Sequence, residues 1–319
     1  MVDTNKLTSI AKDVLFAPVY LYQGRKIKRE TVRLPEPNGE RHGMVELSKA
    51  DDGLSFKSQE TLNLMVVGDS AAAGVGSQTQ QEALVGKMIP ILEQNAVIRS
   101  NFAQLNWSLQ ATTGHTSFDI LRRLYVLPTP DQPIDVMLLS VGVNDTTSNV
   151  AVHKWQQQIE DIIHIAQRKF GVRELIFLSL PPMAQMPAIP SPLNNFVGAK
   201  ASILDEILQK VCAAHDGVNY MATDFARMIK EHGNGQPIDI AVMFASDGFH
   251  PSSLMYGYWA QQIVENITQL LAPSAIQADD QTHSRCPCRY GLLFWYRSLL
   301  YAASNPDTAS CDPPKLRVL

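Results

Sequence analysis

The spacing of apolar positions changes near residue 62, and that change divides the chain. Before it, Leu7, Ile10, Ala11, Val14 and Leu15 recur at helical spacing up to Pro18. The aromatic segment Val19-Tyr20-Leu21-Tyr22 follows, with Arg25, Lys26, Lys28, Arg29 and Arg33 close behind. Residues 34–60 contain Pro35, Pro37, Gly39 and Gly53 and read as a loop-rich connector. From Leu62 to Val67 runs a short apolar stretch of β formers ending at Gly68, the pattern of a buried parallel strand.

Helix and strand patterns then alternate. Helical periodicity covers Glu82–Gln94, Phe118–Val126, Val152–Lys169, Asn194–Ala214 and Ser252–Leu271. Strand patterns cover Leu105–Ala111, Ile134–Val141, Glu174–Leu180 and, more briefly, Val218–Met221. This alternation predicts a parallel sheet with helices on both faces, its functional crevice at the carboxyl ends of the strands. Beyond Pro273 the chain turns polar, and Tyr290–Tyr301 is an aromatic-rich patch without an amphipathic period. The predicted organisation is an arm and connector over residues 1–61, an α/β domain over 62–272 and a tail over 273–319.

Composition narrows the function classes. Across 319 residues, 45% hydrophobic and 18% charged content describe a globular chain able to bury a large core. The formal net charge of −4 gives no reason to expect nucleic acid as a partner. Cys212 sits in an apolar helical pattern, as a buried free thiol would. Cys286-Pro287-Cys288 and Cys311 lack a fourth ligand at zinc-site spacing, so no metal is expected. The first residues lack the continuous apolar run and small-residue cleavage site of a secretory signal, which makes cytoplasmic residence the expectation. The basic, aromatic arm adds a means of peripheral contact with the inner membrane; its simpler reading is a charged surface arm packed on the domain.

Chemistry gathers in four segments. Ser70 follows the first strand of the domain in Gly68-Asp69-Ser70, and the small residues Ala71, Ala72, Ala73 and Gly74 allow a sharp turn that leaves its hydroxyl uncovered. A serine hydroxyl needs a base within hydrogen-bond reach to act as a nucleophile; taken alone, Ser70 would serve equally as a helix cap. Asp247 and His250 lie three residues apart before the last helix, so the carboxylate can hold Nδ1 while Nε2 faces a partner. Of the other histidines, His115 is the main rival, since it follows Gly114 in a strand-end loop. Asn144, in Gly142-Val143-Asn144-Asp145, can aim an amide at a developing oxyanion, and Gly114 can offer a backbone N–H. Each also has an ordinary reading as a turn residue. The glycines at 68–76 lack the lysine of a P-loop and the spacing of a dinucleotide fingerprint.

In this chain order Ser70, Gly114, Asn144 and His250 resemble the four blocks of the SGNH hydrolases, the GDSL esterase/lipase family, over residues 62–272. Ala71 stands where that family usually has leucine. The resemblance implies a three-layer α/β/α flavodoxin-like fold with a central parallel sheet of about five strands. It also implies ester hydrolysis without cofactor or metal, with Ser70 as nucleophile, His250 as base and Asp247 orienting it. Ser70 N–H, Gly114 N–H and the Asn144 side chain would form the oxyanion hole. The expected partner is a small ester of short acyl or aryl type. The apolar stretch Pro181, Pro182, Met183, Met186, Pro187, Ile189, Pro190 and Pro192 after the fourth strand is the candidate lining of the pocket mouth, and Phe244 and Phe249 flank the base. A lysophospholipase or thioesterase at a membrane surface, and a non-catalytic binding module on the same fold, are the competing readings.

Overall fold

Each apolar strand of the domain sends alternate side chains to opposite faces, and both faces are covered. In the computed structural model, which describes residues 4–47, 60–233 and 239–272, six strands form one sheet. They are β1 (His42–Glu46), β2 (Thr61–Gly68), β3 (Gln104–Ala111), β4 (Val136–Ser140), β5 (Glu174–Leu178) and β6 (Val218–Met221). Their order is β1-β3-β2-β4-β5-β6; β1 is antiparallel to β3, and the other neighbours are parallel.

The helices are α1 (Thr4–Glu30), α2 (Ser70–Ala73), α3 (Leu84–Gln94), α4 (Ala96–Asn101), α5 (Ser117–Val126), α6 (Val143–Thr147), α7 (Val152–Lys169), α8 (Leu193–Ala213), α9 (Phe225–His232) and α10 (Ser253–Leu271). Leu64, Val66, Leu138 and Ile176 pack with Leu84, Met88, Tyr256 and Ile263 of α3 and α10. Their chain neighbours Met65, Val67, Met137, Leu139 and Phe177 pack on the other face with Ile120, Trp155, Ile159 and Leu204 of α5, α7 and α8. Burying such side chains contributes roughly 1.5–3 kcal/mol each, which is why near-continuous apolar runs become central strands. Trp155 also satisfies its indole N–H on the Leu204 carbonyl at 3.0 Å.

The expected strands and long helices are present within a few residues of their predicted limits. The short helices α4, α6 and α9 were not expected, and two larger features also differ. The sheet has six strands rather than about five, because β1 lies inside the segment read as a connector. Its residues alternate between exposed and half-buried, so no apolar signal marks it, and backbone pairing to β3 holds it at the edge. Second, α1 runs on through Pro18 to Glu30. Pro18 is exposed, so the carbonyl that loses its helical partner can be hydrated. The second half of α1 docks by Tyr20, which stacks on Phe196 with ring centroids 4.9 Å apart, and by Gln23, which donates to the Ser191 carbonyl at 2.7 Å.

Residues 48–59 (with Gly53), the side chains of Leu7, Ile10 and Ala11, and the tail 273–319 with Cys286, Cys288, Cys311 and the Tyr290–Tyr301 patch lie outside the description. Among the described residues, no helix is long and apolar enough to cross a membrane. Cys212 is a buried free thiol whose pKa burial pushes up to about 12.

Candidate active site

The strand order reverses beside β2: the chain leaves β2 for β3 on one side, then returns to β4 on the other. The loops after β2 and β4 therefore diverge at their carboxyl ends and leave a crevice between them. Ser70 follows β2 and Asn144 follows β4. The two strands approach closely there, since a Cβ on Gly68 would sit 2.6 Å from the Ser140 carbonyl oxygen. Asp69 caps α2 by accepting from Ala71 N–H at 3.1 Å, so Ser70 is the first residue of the helix and not its cap. Its N–H is one of those an α-helix leaves without an intrahelical partner.

The loop after α9 brings the other reacting groups. Ser70 Oγ lies 2.9 Å from His250 Nε2, and His250 Nδ1 lies 2.6 Å from Asp247 Oδ2. The second carboxylate oxygen, Oδ1, accepts from Phe249 N–H at 2.9 Å and His250 N–H at 3.0 Å. Burial pushes the Asp247 carboxyl up, but the bond to His250 and the two backbone N–H groups outweigh it, and the pKa lies below the ordinary value. The loop is fixed by Ala245 N–H donating to the His250 carbonyl at 2.8 Å and Ala188 N–H to the Gly248 carbonyl at 3.1 Å.

Asn144 Nδ2 donates one hydrogen to the His115 carbonyl at 3.0 Å, which orients the amide and leaves its second hydrogen free. Gly142, not Asn144, takes the left-handed conformation in that turn. Gly114 has φ +84 with open space where a side chain would project. His115, the rival base, contributes its carbonyl here; its buried Nδ1 has no hydrogen-bond partner among the described residues.

Four further side chains support this wall. The Asp145 carboxylate, buried and shifted upward by that burial, accepts from Ser117 N–H at 3.0 Å and from the Ser117 hydroxyl, tying α6 to α5. Glu36 accepts from Thr113 N–H at 2.6 Å and pairs with Arg41 at 2.9 Å. Arg41 in turn donates to the Ala111 carbonyl, and Arg123 donates to the Thr112 hydroxyl. Residues 111–113, which lead into Gly114, are thus held from three sides. Sequence reasoning missed Glu36 and Arg41, whose partners lie about 70 residues away with no periodic signal. It also left Asp69 without a role. Asp69 is 1% exposed, and burial raises its pKa to about 6, against the opposing pull of the Ala71 N–H and the Ser140 hydroxyl.

A narrow cavity of about 60 Å³ opens on Ser70 and His250, lined by Val143, Pro181, Met186, Phe244, Met255 and Trp259 among others. It is mostly apolar and can admit a few carbons. Of the predicted lining residues, Pro181, Pro182, Met186, Phe244 and Phe249 border it; Met183 and Ile189 are buried in the core, and Pro187, Pro190 and Pro192 do not line it. Among the described residues, no three His, Cys, Asp or Glu side chains come together to hold a metal ion.

A serine hydroxyl, an imidazole and a carboxylate in one hydrogen-bonded line at the end of a parallel sheet are the arrangement that serine hydrolases use. The GDSL-like lipase/acylhydrolase family model matches residues 66–258, more than half of the chain, and the chain belongs to that family. It is similar to the GDSL-like esterase Rv1075c of Mycobacterium tuberculosis, 22% identical over 196 residues that make up 61% of this chain and 58% of that relative. It is also similar to two solved structures, each 18% identical. A family 3 carbohydrate esterase of Clostridium thermocellum gives a TM-score of 0.48 over 67% of this chain and all of that one. The psychrotrophic esterase EstA of a Pseudoalteromonas species gives 0.47 over 66% of this chain and 98% of that one.

Proposed function

We propose that this chain is a serine esterase that hydrolyses carboxylic esters with short acyl or aryl groups through an acyl-enzyme. The observation that carries the reading is the continuous hydrogen-bonded line from Ser70 Oγ through the His250 ring to Asp247. His250 Nε2 takes the Ser70 proton as Oγ attacks the ester carbonyl, and Asp247 holds the ring and stabilises the imidazolium. Ser70 N–H, Gly114 N–H and the free Asn144 N–H receive the oxyanion of the tetrahedral intermediate. Collapse breaks the ester C–O bond, and His250 returns the proton to the departing alcohol. Water activated by the same ring then releases the acid. The small apolar cavity beside Ser70 supports a short acyl group. Hydrolysis of 4-nitrophenyl acetate tests the assignment: Ser70→Ala abolishes it, and a variant with normal turnover would overturn the reading.

A second reading, work at a lipid surface, rests on α1. Its outward side exposes Val14, Leu15, Leu21 and Tyr22 and continues into Arg25, Lys26, Lys28 and Arg29. Apolar and basic residues in that succession suit an anionic interface. Salt-sensitive co-sedimentation with phosphatidylglycerol vesicles is the expected result; no binding at low salt would exclude it.

A further inference from the structure

We infer that the cavity on the far side of His250 is a leaving-group site for esters whose alcohol carries a negative charge. The inference rests on the hydrolase reading above and adds a substrate class to it. His250 and Phe249 border two cavities, whereas Ser70 borders only the narrow apolar one. The second cavity has about 550 Å³ of free volume. One wall is the end of α1 and the residues after it, including Lys28 and Arg33; Glu36, Thr113 and Asp247 also line it.

Chemistry assigns the two cavities to the two halves of an ester. The departing oxygen takes its proton from His250, which both cavities share. The narrow apolar cavity at Ser70 suits a short acyl group, which leaves the larger one for the alcohol. Charge then selects the alcohol. The Asp247 carboxylate is bound to His250 and two backbone N–H groups. The Glu36 carboxylate is bound to Arg41 and to Thr113 N–H. Glu30, the remaining carboxylate nearby on α1, pairs with Lys26 and Arg29. Lys28 and Arg33 have no carboxylate partner among the described residues, whereas both carboxylates of the lining are already engaged, so these two cations are the charged groups left to meet a ligand. Lys28 also suits the negative end of the α1 dipole, but Arg33 lies beyond the helix and has no such role. An ammonium and a guanidinium together fit a sulfonate, carboxylate or phosphate on the alcohol.

The test compares phenyl acetate with 4-acetoxybenzenesulfonate, which share an acyl group and differ in charge on the alcohol. In the wild-type chain the ratio of kcat/KM values, anionic over neutral, is expected to exceed that of the Lys28→Gln/Arg33→Gln variant by about five- to tenfold, the scale of two exposed charge contacts. Phenyl acetate turnover stays within about twofold, and the preference shrinks at high salt because both cations are exposed. Calorimetry of the alcohol product, 4-hydroxybenzenesulfonate, gives the same contrast without turnover. As competitors, glycerol 3-phosphate in solution and phosphatidic acid in vesicles separate a free alcohol from a lipid headgroup. Equal ratios in both proteins, with phenyl acetate still hydrolysed, would overturn the charged site alone. Failure to hydrolyse either ester would overturn the hydrolase reading, and this inference with it.

Discussion

The loop Asp247–His250 and the segment Glu36–Arg41 both hold the same crevice, by different means. In the first, four consecutive residues contain the proposed base, its carboxylate and the backbone N–H groups that fix that carboxylate. In the second, a carboxylate and a guanidinium reach across the fold to the backbone of residues 111–113, just before Gly114. The reacting groups are organised by local chain geometry, and the donors that face them are organised by long-range contacts. Damage to the first region should therefore remove chemistry, and damage to the second should only loosen it.

The largest effects fall on the reacting groups. Ser70→Ala and His250→Ala should each lower kcat for 4-nitrophenyl acetate by about 10⁶-fold, and Asp247→Asn by about 10⁴-fold. A drop of less than tenfold for His250→Ala would point to another base and dissolve the contrast. Asn144→Ala should cost about 10²–10³-fold in kcat with KM little changed, as for one lost oxyanion donor. Glu36→Ala should lower kcat by about tenfold at constant KM, a smaller loss because it acts at one remove, through Thr113 N–H and Arg41. Glu36→Gln should recover part of that, since an amide oxygen still accepts from this N–H while the pairing with Arg41 is weakened. A fall in kcat as large as that of Asn144→Ala would place Glu36 level with the donors themselves and erase the difference between the two regions.

The smallest expected effect concerns the two aspartates beside the reacting groups. Asp69 and Asp247 differ in which influence prevails: burial for Asp69, hydrogen bonds for Asp247. Asp247, with its folded pKa lowered, adds stability above the ordinary carboxylate pKa that is lost as pH falls through the folded value. Asp69 has the opposite sign. With a folded pKa of about 6 against an ordinary 3.8, its contribution is full below the ordinary value and is lost as pH rises toward and past 6. That loss is on the order of 3 kcal/mol. Asp69→Asn keeps an oxygen for Ala71 N–H, so its Tm should exceed wild type by several degrees at pH 7 and converge with it by about pH 4. A gap that does not change with pH would show that Asp69 is not held against ionisation by burial.

How much was legible in the sequence follows the same division. The strands β2, β4 and β5 announce themselves because both faces are buried, which leaves uninterrupted apolar runs ending where the crevice lies. Ser70, Asn144 and His250 could be named because short segments with small or turn-forming residues flank each of them. β1 was not legible, since an edge strand with no buried side chain is held by backbone bonds that any sequence can make. The continuation of α1 past Pro18 was hidden by a residue that usually ends a helix but is tolerated here on the exposed side. Glu36 and Arg41 look like ordinary surface charges until the fold brings Thr113 and Ala111 beside them. In the sequence, Lys28 and Arg33 read as part of a charged surface arm with membrane contact as the alternative, and only the cavity shared with His250 suggests a more local use.

The central claim is that Ser70 is a nucleophile activated by His250. The most direct measurement is fluorophosphonate labelling of the intact chain, read by mass and mapped by peptide analysis. The account predicts one adduct per chain, located on Ser70, formed rapidly by the wild-type chain, at least a hundredfold more slowly by His250→Ala and not at all by Ser70→Ala. An unlabelled wild-type chain, or an adduct that maps to another residue and persists in Ser70→Ala, would contradict it.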